Sequence, residues 1–322
     1  MKHSESLFKN LNLPVIAAPM FLISGPELVI NCCKNGIIGT FPALNQRSSE
    51  GFEQWLIQIK EELNTFEKET GRKAAPFGVN LIVHPSNPRI DSDLQLCIKH
   101  QVPLIITSLG AIGPLVDQIH AYGGKVFHDI VKKRHAEKAA EAGVDGLILV
   151  AAGAGGHGGT INPFALVNEI RAFFDKTIVL AGCLSTGQDI AAALQMGADA
   201  VYMGTRFINT QESMAEEAYK EMIQSAKADD IRYTKAVSGV FANFLSQSLS
   251  NAGLTEEDLK RDKKVELEHL NSEAKAWKNV WSAGQGVTSI NNNLSTKELI
   301  DDLKEQFKTS LSEHLLQSKK YL

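Results

Sequence analysis

Cysteine is scarce in this chain. Four of the 322 residues carry it, at 32, 33, 97 and 183, with no CxxC pair and no Cys/His run at zinc spacing. A disulfide scaffold and a zinc module are thereby excluded, reduced thiols are expected, and no metal site is foreseen. Long apolar runs are missing too. None approaches the roughly 20 residues of a membrane span, and the opening Met-Lys-His-Ser-Glu-Ser-Leu-Phe has no apolar signal-peptide core. Charge of one sign is absent: the formal net charge is −4 and the pI about 6.2. The basic pair Lys132-Lys133 belongs to no stripe with interleaved aromatics, so neither a nucleic acid nor an anionic membrane is an expected partner. A cytoplasmic location is the corresponding expectation.

What is present is an alternation. Short apolar runs at 15–20, 36–41, 77–82, 104–109, 125–130, 146–151, 177–181 and 200–206 read as buried parallel strands. Amphipathic segments at 27–34, 51–69, 91–100, 112–122, 134–142, 163–174 and 186–196 read as the helices between them. Pro163 just inside its helix, with Gly143 and Gly197 just beyond theirs, supplies the expected punctuation. Eight such units close most naturally into an α/β (β/α)8 TIM barrel, with a doubly wound open sheet as the alternative. We place the barrel at residues 10–210. Residues 211–322 read as a helical extension, with helices expected from Thr255, over 266–276 and from Ser295 to the end. Its Trp277–Gly286 stretch either packs on the barrel or folds over its mouth.

The richest segment is 151–160, Ala-Ala-Gly-Ala-Gly-Gly-His-Gly-Gly-Thr, at the exit of the sixth run. Five glycines in seven residues clear side chains away, so that the backbone at Gly155 and Gly156 can lie against a flat cofactor. His157 stands in that space as a proton-transfer group. Barrel ligands sit at the C-terminal strand ends, which here offer Ala18, Pro19 and Met20, then Asn80, Ser108, His128, Ala181 and Gly182, and Gly204 with Thr205. Glycines ending the seventh and eighth strands suggest a phosphate nest, with Ser185-Thr-Gly187 as a helix start beside it. They equally suit tight turns. Asn80 suits a heterocycle edge or a turn cap, Ala17-Ala-Pro-Met20 a cofactor platform or a plain strand end, and His128 either a site or a local hydrogen bond. Cys183 reads as a packed thiol.

Taken in order, Val15-Ile-Ala-Ala-Pro-Met20, Gly78-Val-Asn80, Ala154-Gly-Gly-His157-Gly, Ala181-Gly182 and Met203-Gly-Thr-Arg-Phe207 resemble the nitronate monooxygenase family, formerly the 2-nitropropane dioxygenases. The resemblance covers about residues 10–250, and Trp281-Ser-Ala-Gly-Gln-Gly286 extends it to about 290. It implies an FMN-dependent TIM barrel that oxidises alkyl nitronates, of the propionate-3-nitronate type, with O2 and without a metal. It further implies His157 as the catalytic acid–base beside the flavin, Ala18, Pro19 and Met20 along the ring, and Asn80 at its ring or ribityl edge. Gly182, Gly204 and Thr205 would hold the phosphate. A homo-oligomer is left open. Many members carry Gln at the position of Val150 and Glu at that of Gly153, so the substrate pocket differs here. Related flavin barrels reduce quinones with NAD(P)H or reduce enoyl-ACP thioesters, and these stand as alternative activities. A flavin-free phosphate-binding barrel is the alternative of another class.

Overall fold

A computed structural model describes residues 7–84, 86–108, 110, 113–237, 239–260 and 280–322. Eight parallel strands close into a barrel in chain order: β1 (Val15–Ala17), β2 (Ile38–Pro42), β3 (Phe77–Ile82), β4 (Leu104–Ser108), β5 (Lys125–Ile130), β6 (Gly146–Val150), β7 (Thr177–Ala181) and β8 (Ala200–Met203), with β8 pairing back onto β1. The connecting helices are α1 (Pro26–Lys34), α2 (Ser49–Thr70), α3 (Ile90–Lys99), α4 (Gly113–His120), α5 (Lys133–Glu141), α6 (Pro163–Arg171) and α7 (Gly187–Gln195). The chain then runs through α8 (Thr205–Ile208), α9 (Glu217–Ser225), an antiparallel pair β9 (Ile231–Thr234) and β10 (Ala242–Leu245), α10 (Ser246–Asn251), and α11 (Thr296–Ser318). The hairpin is absent from the helical reading of this region. The helix expected at 266–276 and Trp277 lie outside the described residues.

Two apolar layers hold the barrel, and the two-residue period of each strand assigns side chains to one or the other. Ile16, Ile38, Leu104, Ile106, Phe127, Ile148, Val179 and Ala200 fill the lumen. Alternate residues such as Val15, Ile105, Val126, Leu147 and Val201 pack outward with the helices. Phe8 stacks on Phe127 at 6.3 Å, which places the segment before β1 against the lumen core.

β1 and β8 each end three residues before their apolar runs do. β1 stops at Ala17, because beyond it the backbone is spent on a turn: Met20 N donates to Ser24 Oγ at 3.0 Å. Asn45 Nδ2 donates to the carbonyls of Met20 and Ser24, and its Oδ1 accepts from Leu22 N. β8 stops at Met203, where Gly204 becomes the N-cap of α8. No helix of the described residues is long and apolar enough to cross a membrane.

Candidate active site

At the C-terminal strand ends the inward residues turn polar. Asn80 Nδ2 donates to Ser108 Oγ at 2.9 Å, and Ser108 Oγ donates to Asp129 Oδ2 at 2.5 Å. Asp129 follows Phe127 on the inward face of β5, so His128 between them must face outward. There its Nδ1 shares a 2.7 Å hydrogen bond with Thr107 Oγ1, on the outer layer near His135 of α5. His128 is therefore removed from the list of lumen groups. One position along the strand decides this, since adjacent side chains take opposite faces. Burial pushes the His128 imidazole down to about 4. On the other face, burial pushes the Asp129 carboxyl up to about 6, with the Ser108 bond opposing. Sequence reasoning passed over Asp129. The signal was available, because the same alternation that places Phe127 inward places residue 129 there as well.

The loop after β6 has a different logic from the one its glycines suggested. A Cβ on Gly153 (φ +80°) would lie 2.2 Å from Cys183 Sγ, and one on Gly155 would lie 2.8 Å from Gly284 N. Cβ atoms on Gly158 and Gly159 would press on the carbonyls of Ala154 and Val150. Gly156 alone of the five has open space around its missing Cβ. Most of these glycines therefore admit neighbouring protein, and Gly155 is covered by Gly284. Gly153, Gly155 and Gly158 also spell GxGxxG after a strand. A dinucleotide loop would lead straight into a helix, whereas α6 starts only at Pro163.

The neighbours arrive from the C-terminal third. Gln285 N donates to Gly153 O at 2.9 Å and Asn243 N to Gly156 O at 2.9 Å. Asn243 Nδ2 donates to Ala154 O at 2.6 Å, and Tyr233 Oη to Gly158 O at 3.1 Å. Gly284 N donates to Thr205 Oγ1 at 2.9 Å, leaving the Thr205 hydroxyl proton for another acceptor. Trp281 stacks on Tyr219 at 4.9 Å and so fixes the approach of this segment. His157 is thus held from both flanks. Its side chain meets solvent, and desolvation by the surrounding protein keeps its pKa below the ordinary imidazole value.

The expected phosphate corner is only partly as foreseen. The start of α7 is already capped by protein: Asp189 Oδ2 accepts from Ser185 N and Thr186 N at 2.8 Å each, and Gln306 Oε1 accepts from Gly187 N. That negative cap removes Ser185–Gly187 from any anion site. What remains is Gly182, the first-turn amides of α8, and the hydroxyl of Thr205. A Cβ on Gly204 would meet Ala18 Cβ at 3.7 Å and Met20 Sδ at 3.8 Å, ordinary contact distances that set the three residues side by side. Cys183 is exposed as a residue with φ +57°, while its Sγ lies against Ala152 O and Gln285 Oε1, and burial of its thiolate form raises its pKa. The site therefore offers phosphate-sized donors at β7 and β8, a polar floor at β3 to β5, and an imidazole above β6.

A family model described as "Nitronate monooxygenase" matches residues 43–306. A Rhodococcus jostii dehydrogenase of a hydroxy-methyl-oxo-octahydroindene-carboxyl-CoA is 30% identical over 241 residues. That match takes in 74% of this chain and 64% of the relative, so the chain spans less than two thirds of that protein. A nitronate monooxygenase of Pseudomonas aeruginosa is 27% identical over 274 residues, covering 70% of this chain and 74% of that one. Among solved structures, a nitroalkane oxidase from Streptomyces ansochromogenes superposes with a TM-score of 0.79 at 23% identity, over 96% of this chain and 99% of that one. With most of its length matched by the family model, this chain belongs to the nitronate monooxygenase family.

Proposed function

We propose that this protein is an FMN-dependent oxidoreductase that oxidises alkyl nitronates with O2. The observation that carries the reading is His157, held at the barrel mouth by main-chain bonds from two distant segments. The residues suit FMN. Gly182, Gly204, the first amides of α8 and the Thr205 hydroxyl would hold the phosphate, and Ala18, Pro19 and Met20 would support the ring. Asn80 and Ser108 would supply hydrogen bonds to its polar edge. When bound, FMN supplies the electron acceptor that the side chains lack. The lowered pKa of His157 keeps the imidazole neutral at and above pH 7, with one nitrogen to donate and one to accept. It can therefore hydrogen-bond an anionic nitronate oxygen, and accept or return a proton at the substrate carbon.

A second reading, dehydrogenation or reduction of an acyl thioester, is favoured by the 30% identity to a CoA-thioester dehydrogenase. Anaerobic mixing separates the two. Rapid bleaching of the flavin by propionate-3-nitronate, with slow bleaching by NAD(P)H, supports the nitronate reading. The reverse order overturns it. Release of FAD on denaturation, or a colourless protein that takes up no FMN, overturns the cofactor assignment.

A further inference from the structure

Two polar atoms in the barrel are buried without a partner among the described residues: Asp129 Oδ1 and the Tyr202 hydroxyl. They come from β5 and β8, with β6 and β7 between them in the closed sheet, and both strands turn these positions inward. The intervening β6 and β7 turn Ile148, Val150, Val179 and Ala181 inward, apolar side chains that offer neither atom a hydrogen bond. The carboxyl and the phenol sense one another, since Asp129 adds to the burial that holds Tyr202 unionised. An unpaired buried acceptor or donor loses about 1–3 kcal/mol relative to a satisfied one. Two such atoms, near enough to influence one another, mark a place where a ligand completes the bonding.

We infer that Asp129 and Tyr202 form the polar floor that hydrogen-bonds the carbonyl and N–H edge of the flavin ring. The carboxyl has the support such a role needs. Oδ2 is fixed by Ser108, itself fixed by Asn80, so Oδ1 is left aimed at the lumen. An acid there donates to a ring carbonyl, a bond that a carboxylate cannot make. Among the described residues no cation is at hand to favour the carboxylate. The groups near it are Ser108 and Asn80 from β4 and β3 and Tyr202 from β8, with His157 above β6 and Cys183 beyond β7. Lys125, on the same face of β5, is engaged with Asp145 at the opposite end of the strand. The raised pKa of Asp129 agrees with this arrangement.

The inference rests on the flavin part of the proposed function and not on the nitronate part, and its test is binding. Riboflavin is the main probe, because the FMN phosphate itself titrates near pH 6. Fluorescence titration of the wild type should show riboflavin Kd weakening by about tenfold or more between pH 5.5 and 8, as the acid form is lost. Asp129→Asn, a permanent donor, should bind riboflavin with a Kd that varies less than about threefold over that range. Asp129→Leu should bind weakly at every pH, and Tyr202→Phe should weaken binding equally at every pH. Ser108→Ala removes a bond that favours the ionised form and should move the weakening to higher pH.

If Asp129→Asn follows the wild-type profile, or Asp129→Leu binds as the wild type does, the inference falls. Wild-type protein that takes up neither riboflavin nor FMN overturns the inference and the flavin assignment together. The expected profile without nitronate turnover sustains the inference and overturns only the nitronate activity.

Discussion

Adjacent residues of β5 should make opposite contributions to stability against pH. His128 is held at about 4, against 6.5 for a free imidazole. Its contribution is full above pH 6.5 and is lost as pH falls toward 4. Asp129 is held at about 6, against 3.8. Its raised value means that the folded state binds the extra proton, so stability is highest below pH 3.8 and is lost as pH rises through 6. At about 1.4 kcal/mol per unit, each shift is worth about 3 kcal/mol at most. In the wild type the two slopes oppose between pH 4 and 6 and nearly cancel. Urea unfolding of flavin-free protein at several pH values from 4.5 to 7.5 reads them separately, without cofactor linkage. Relative to the double variant, Asp129→Asn should lose up to about 3 kcal/mol as pH falls across this range, exposing the His128 slope. His128→Asn, whose amide can still reach Thr107, should gain a similar amount over the same range. Parallel profiles for the two single variants would refute the assignment of opposite faces and opposite shifts.

Other expectations follow from the site. His157→Ala should retain flavin and a wild-type melting temperature while turnover falls by roughly 10²–10⁴-fold; steady-state kinetics and flavin absorbance check this, and loss of flavin would make the histidine structural. Gly153→Ala places a Cβ into Cys183 Sγ at a positive φ and should cost about 1–3 kcal/mol. Cys183→Ala in the same chain should recover part of that loss in a thermal melt, and no recovery would mean that backbone strain alone is responsible. Asn243→Ala strips the side-chain donor from Ala154 O and should destabilise by about 1 kcal/mol, with a larger effect on kcat than on FMN affinity.

The barrel was legible because parallel strands, buried on both faces, leave continuous apolar runs such as Gly146–Val150. Helix punctuation at Pro163, Gly143 and Gly197 then separated one unit from the next. The site was legible in part. Asn80 and Ser108 lie inward near the strand ends, and Gly204 packs beside Ala18 and Met20. His128 misled because proximity to a strand end was taken without the phase of the strand. The glycine loop misled for another reason. Glycine records that something approaches closely, and the sequence does not say whether that is a ligand or residues 283–285. The β9–β10 hairpin was hidden by shortness: four-residue strands carry too little alternation to stand out in a charged, helix-rich stretch.

The bonds that shape the His157 loop have a consequence for the order in which the protein is made. Four of its carbonyls accept from residues 75 or more positions later in the chain: Tyr233, Asn243 and Gln285. All eight barrel strands lie before these donors, so a growing chain has every strand in hand before the loop receives any of these bonds. Contacts so distant in sequence close late, since chain entropy is lost before they form. A nascent or truncated chain would then own a barrel and a histidine but no active geometry, and competence would arrive only with the final third of the polypeptide.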